Sequence, residues 1–234
     1  MAYIKNLPMT NAESLTRPFI PFHLKPICMA KKGCRNIYDQ INCQNFETKY
    51  KDKWNLELDL QINKLTWKHI FHICFKSVYN DDLVWLQYKI LHRILGTQRL
   101  MLNMKITDSD LCRLCNSCSE TLLHLLVNCN HVVRLWRNLE SWLKMALNMN
   151  FTFTSNDIIL GYLINSNIST PINVIIMVTK KYIFSCAYRN ITPNIQQLIQ
   201  KLTCVFQEER LAYINMDKEN IFFKKWEKML MLFH

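Results

Sequence analysis

Three glycines, Gly33, Gly96 and Gly161, are all that this 234-residue chain offers where a turn needs a positive φ. Two-residue hairpins are built largely from glycine and a few polar residues, so this shortage argues against a sheet-rich fold. Half of the residues are apolar and 12% are aromatic, enough to bury a sizeable core over one or two domains. We expect a mainly α chain arranged as a helical bundle. Residues 1–30 hold Pro8, Pro18, Pro21 and Pro26, four of the six prolines, and cannot be one regular element. They are expected to form an irregular arm, docked through Phe19 and Phe22.

Ten cysteines are present, and four of them lie between Cys112 and Cys129. With His124 they give the spacing C-x2-C-x8-H-x4-C. Cys112 and Cys115 can form a turn that points two thiolates at one ion, while His124 on a following helix and Cys129 beyond it close the other side. Mixed thiolate and imidazole donors suit zinc, and four protein ligands leave no open position for water chemistry, so the expected cofactor is structural zinc. The bland alternative is a set of small buried thiols with a satisfied core histidine. The register also stays open, because Cys118 makes a second C-x2-C with Cys115 and His131 follows Cys129. Cys28, Cys34, Cys43, Cys74, Cys186 and Cys204 are scattered and read as core or incidental thiols.

Twenty-nine Lys and Arg against eighteen Asp and Glu give a formal charge of +11, which favours polyanionic partners or an acidic membrane surface. No apolar run reaches the length of a spanning helix, and the start has no signal-peptide pattern. We expect an intracellular chain, in cytoplasm or nucleus, with reduced thiols and no membrane segment.

Along the chain, residues 35–43 and 46–51 read as short helices. From Trp54 to Ile73 helices should break near Asn63 to Thr66, with Thr66 as a cap. His69 and His72 then fall on a helix surface with Cys74 nearby, not on a second metal site. Tyr79-Asn80-Asp81-Asp82 imitates the metal loop of reverse transcriptases, yet Leu83, Leu86, Ile90 and Ile94 follow at helical spacing. Asn80 therefore reads as an N-cap with acidic residues in the first turn, and the helix should end near Leu95 with Gly96 at C′. Asn130 can cap a long helix with Val132, Trp136, Leu139, Leu143 and Ala146 inward. Residues 148–156 read as a connection. Thr170-Pro171 and Thr192-Pro193 should start helices to about Arg189 and Tyr213, the second with Ile195, Leu198, Leu202, Val205 and Phe206 inward. A terminal helix over 217–231 carries Lys224, Lys225, Trp226 and Lys228.

The zinc block and its surroundings resemble a known family. Trp85 to Thr97, Leu111-Cys112-x-x-Cys115, Glu120-Thr121-x-x-His124-Leu125-Leu126, Cys129 and Trp136 look like the reverse-transcriptase zinc-binding region. That region lies at the carboxyl end of the second open-reading-frame protein of LINE-type (non-LTR) retrotransposons, downstream of the polymerase. Weaker similarity extends through Pro18 to Phe22, Gly33 to Asp39 and Phe46 to Tyr50 before the block, and through Ile159 to Gly161, Lys181 to Ile183 and Phe223 to Trp226 after it. The resemblance strengthens zinc at Cys112, Cys115, His124 and Cys129. It implies a non-catalytic module that helps to handle template RNA or target DNA, beside the polymerase domain of a related element.

The expected organisation is an irregular arm with short helices over 1–53, a helical region with the zinc module over 54–148, and a C-terminal helical region over 149–234. Lys89, Arg93, Arg99, Lys105, Arg113, Arg134 and Arg137 cluster near the block in sequence and form the expected nucleic-acid surface, with Tyr88 available for stacking. A solvated charged face is the plain alternative. No glycine-rich phosphate loop, nucleophile elbow or two-metal carboxylate set occurs, so no enzymatic activity is expected. Two other readings stand beside nucleic-acid binding: a structural or protein-interaction module, and a fragment of a decayed element.

Overall fold

The computed structural model describes residues 49–60, 64–148, 150–164, 166 and 168–233. The expected N-terminal arm, its short helices before residue 49 and the break at Asn63 lie outside them. The chain divides into Met1–Lys49 and Tyr50–His234, and the second unit is the helical body. Its helices are α1 (Lys49–Glu57), α2 (Lys64–Ser77), α3 (Asp81–Leu91), α4 (Gln98–Asn103), α5 (Asn130–Leu147), α6 (Ser155–Leu160), α7 (Ser169–Tyr188), α8 (Ile195–Asn215) and α9 (Glu219–Trp226). A π turn spans His124–Asn128 and a 3-10 turn Glu227–Leu232. The protein is mainly α, and the only extended pairing among the described residues is an isolated bridge between Leu111 and Ser119.

Helix α7 is the axis of the body. Its apolar residues are not confined to one stripe: Pro171 to Lys180 are buried without interruption, the pattern of a helix surrounded on all sides. Helices α2, α3, α8, α9 and the π turn pack around it, so both halves of the sequence after residue 54 share one core. Two polar groups inside that core are matched. The Lys180 ammonium donates to the Gln87 side-chain carbonyl, and the Gln87 amide donates to the Ile159 carbonyl at 2.8 Å. An unmatched amide or ammonium there would carry the full desolvation penalty.

Several helix ends differ from the sequence expectation. Asn80 does cap α3, accepting from the Asp82 N–H at 2.9 Å, so Asp81 and Asp82 are the exposed first turn of a helix. That helix stops at Leu91, however, and C′ is Arg93 with φ 60 instead of Gly96. The Arg93 N–H bonds to Ile90 O and the Ile94 N–H to Lys89 O, both at 2.9 Å, the paired closure of a Schellman end. A left-handed non-glycine residue costs about 1–2 kcal/mol. Arg93 offsets this through a two-pronged ion pair with Glu57 and a stack 4.3 Å from the Trp54 ring.

Thr66 lies inside α2 rather than capping it, and His69 and His72 are exposed on that helix. Cys129 is the N-cap residue of α5, one position before Asn130. Helix α7 begins at Ser169, ahead of Thr170-Pro171. Helix α8 begins after Asn194, whose side chain accepts from the Gln196 N–H at 2.7 Å, and so starts later than Thr192-Pro193 suggests. The connection expected over 148–156 ends earlier, because Thr154 and Asp157 close a capping box that starts α6 at Ser155. The end of α6 is fixed by Gly161, with φ 97 and a position where a Cβ would sit 3.0 Å from the Asn173 side-chain oxygen. The Asn173 amide clamps both the N–H and the carbonyl of Tyr162, at 2.8 and 3.0 Å.

The terminal segment folds as α9 followed by the 3-10 turn, sealed by Phe206 stacked on Phe233 at 4.4 Å and edge-on to Trp226 at 5.2 Å. Lys225 does not face water beside Lys224. It is nearly buried, paired with buried Glu209 and donating to Ser77 O at 2.7 Å at the end of α2. Burial pushes the Lys225 ammonium down from its ordinary value, against the pull of Glu209. No described helix is long and apolar enough to cross a membrane.

Candidate metal centre

Cys112, Cys115, His124 and Cys129 converge so that their ligand atoms all lie within 4.8 Å of one another. The Cys112 and Cys129 sulfurs are 4.0 Å apart, and the Cys115 sulfur is 3.3 Å from His124 Nε2. A tetrahedral ion with bonds of roughly 2.3 Å to sulfur and 2.0 Å to nitrogen would set such edges at about 3.5–3.8 Å. The four side chains can therefore hold a metal ion without rebuilding the backbone. Cys112 and Cys129 are fully buried, and Cys115 and His124 are half-buried.

Local backbone explains how each ligand arrives. Cys112 to Cys115 form a knuckle in which Leu114 N–H points at the Cys112 sulfur at 3.4 Å and Asn116, with φ 52, turns the chain back. The Cys112 N–H bonds to Cys118 O at 2.8 Å. Cys118 thus closes the turn through its backbone while its thiol is exposed, and neither it nor His131 joins the cluster. Thr121 accepts from the His124 N–H at 3.1 Å and starts the next turn. On an α-helix, residues five apart are separated by about 140° around the axis. The π register replaces that by bonding the Cys129 N–H directly to His124 O at 2.8 Å, which brings the two ligands to one side. Inside the widened turn, Leu126 O is taken by the Trp136 indole at 2.9 Å.

The electrostatics favour a thiolate at Cys129. It stands at the N-terminus of α5, and the hydrogen bond from Cys112 lowers its pKa despite burial. The same bond, followed by burial, raises that of Cys112. An ion bound there would need both sulfurs deprotonated, so binding would release protons.

Glu120 is the functional residue that spacing alone does not reveal. Its side chain is fully buried and ion-paired to Arg113 at 2.6 Å. It also accepts from the Gln98 N–H at 3.0 Å and the Arg113 N–H at 2.9 Å. The Arg113 guanidinium donates to Gly96 O at 3.2 Å. One carboxylate therefore ties the knuckle to the start of α4 and to the chain leaving α3. Its sequence signal is an acidic residue inside a cysteine-rich run, seven positions after an arginine that follows a ligand and four before His124.

Three of the seven basic residues expected to track phosphate are committed to carboxylates. Arg93 pairs with Glu57, Arg113 with Glu120, and Arg99 with Asp110 at 2.8 Å, this last pair partly exposed. Lys89 on α3, Lys105 after α4, and Arg134 and Arg137 on α5 are exposed. Tyr88 is 40% exposed, in contact with Trp85 on one side and His92 on the other. No family model matches the chain, and no curated protein matches it.

Proposed function

We propose that this chain is a zinc-stapled, non-catalytic helical module that binds nucleic acid, similar to the C-terminal part of LINE-type reverse transcriptases, where it would help to hold template RNA or target DNA inside the cell. The observation that carries the reading is the convergence of three cysteines and one histidine from two turns onto one point. Three sulfur donors and one imidazole favour zinc over harder cations, and four protein ligands leave the ion structural. Lys89, Lys105, Arg134 and Arg137 then provide exposed cations on the elements that flank the metal, on a chain of net charge +11. The first turn of α3 at Asp81 and Asp82 agrees with a non-catalytic role, because two-metal phosphoryl transfer needs carboxylates gathered from neighbouring strands.

Metal analysis of the purified chain should give one zinc per molecule, and well under one equivalent would overturn the metal assignment. Binding to RNA and DNA should weaken with salt, and replacing Arg134 and Arg137 together by alanine should reduce the salt slope by roughly 0.7–0.9 for each phosphate no longer neutralised. A protein-interaction role is favoured by one observation, the exposed run of Met104, Ile106 and Leu111 beside the module. Salt-independent or absent nucleic-acid binding would leave that reading in place.

A further inference from the structure

We propose that the groove between α3 and α7 beside Trp85 is a stacking site for unpaired nucleobases, so that the module prefers single-stranded nucleic acid over duplex. The inference rests on the nucleic-acid reading above and names the strand state and the residues that read it. The groove has a volume of about 530 Å³, and Trp85, Lys89, Leu95, Lys181, Phe184 and Asp82 line it. Trp85 is 60% exposed, although tryptophan is on average among the more buried side chains. Its ring meets Tyr88 edge-on at 5.4 Å, and Tyr88 lies 4.1 Å from His92. Trp85 and Phe184 are the rings that line the groove, and Tyr88 braces Trp85 from outside it.

The cations at its rims decide for a nucleic-acid strand over an apolar protein segment. Lys89 is exposed on one side. Lys181 is on the other, bonded at 3.0 Å to Asp82, with the lysine side chain partly exposed and the aspartate largely in water. Exposed pairs of this kind are weak, so a phosphate can take Lys181 from Asp82 at little cost. A flat aromatic face with a phosphate-sized cation on either side suits a base and its two flanking phosphates, and base faces are free for stacking only in an unpaired strand. The groove is also tied to the metal module. The Arg113 guanidinium lies 5.8 Å from the Phe184 ring and holds Gly96 O, next to Leu95 in the wall.

The test uses the full chain, a short oligouridine and an RNA duplex of equal length. Trp85 is well placed to report, because Trp54, Trp67, Trp136 and Trp226 are buried and Trp142 is half-buried, and the part of the signal that Trp85→Ala removes is its own. Oligouridine should quench the exposed tryptophan emission. Trp85→Ala should lower oligouridine affinity about tenfold, the scale of one lost base stack. Trp85→Phe should restore most of it, and the duplex should bind both variants as it binds the parent. Wild-type oligouridine affinity in Trp85→Ala, with binding otherwise intact, would overturn the groove proposal and leave the nucleic-acid reading standing. Binding of neither strand would overturn that reading as well. A self-association that Trp85→Ala abolishes would assign the groove to a second copy of the chain, and the proposal would fall.

Discussion

At the scale of single residues, burial separates charges that the sequence presents as equals. Arg113 and Arg134 are both basic and both near the cysteines, yet only Arg113 neutralises a fully buried carboxylate. Arg113→Ala leaves Glu120 uncompensated and should destabilise the fold by about 3–5 kcal/mol. Arg134→Ala should fall within about 0.5 kcal/mol, and denaturant titration of the two variants checks the contrast. Tyr182 offers a second residue-scale test. Its hydroxyl donates to Asn194 O or Gln197 and accepts from the Asn194 N–H at 2.9 Å. Burial pushes its pKa up from 10.0 to about 12, with the hydrogen bond at Asn194 pulling the other way. A raised value means that the folded state holds the proton more tightly. This contribution to stability is complete below pH 10.0 and is lost as the pH rises towards about 12. Burial raises Tyr50, Tyr162 and Tyr213 as well, so ultraviolet titration should show a late group of tyrosines, and Tyr182→Phe should remove one equivalent from it.

At the scale of elements, ends and junctions matter more than helix interiors. Gly161 ends α6 in a conformation closed to other residues and presses against the Asn173 clamp. Gly161→Ala should therefore cost about 1–3 kcal/mol, read by thermal unfolding, while metal content stays at the parent value. Helix α9 is held through Lys225, Glu209 and Ser77, which join it to α8 and to the end of α2. Lys225→Ala leaves the buried Glu209 carboxylate with the Trp226 indole, at 3.1 Å, as its remaining hydrogen bond. We expect a loss of several kcal/mol there, against a near-neutral Lys224→Ala, with equilibrium unfolding as the measurement. Helix α3 makes the same point about ends. Its closure at Arg93 was not legible because a left-handed arginine is tolerated only when Glu57 and Trp54, more than thirty residues away, hold the side chain.

At the scale of the whole molecule, the metal cluster and the bundle share one core. The π turn packs on α5, α6 and α7, and Cys112, Leu125, Leu126 and Cys129 are buried with the same residues as α7. Structural zinc in small peptides contributes on the order of 10 kcal/mol of apparent binding free energy. Removing the ion proposed for the Cys112, Cys115, His124 and Cys129 cluster should melt more than the loop over 112–129. Treatment with chelator, or Cys115→Ala, should reduce far-UV helicity well beyond the π turn, and should abolish the nucleic-acid binding proposed above. A helical signal indifferent to chelator would show that the bundle stands without the metal.

The sequence by itself determined the helical class, the stripe of α5 and the cap at Asn80, and it put forward the four residues of the cluster, with Cys118 and His131 excluded only by the fold. Each of these depends on neighbours within a turn or two, or on fixed ligand spacing, so short-range chemistry writes them into the chain. Only tertiary structure decided which cations are free. Arg93, Arg113 and Lys225 have the local signature of exposed basic residues, and their carboxylate partners are set by how helices cross, not by nearby residues. The burial of Lys180, the role of Glu120, the π turn that aligns His124 with Cys129 and the groove beside Trp85 belong to the same group. Each results from packing one element on another, where desolvation decides which polar group must find a partner and which ring is left facing water.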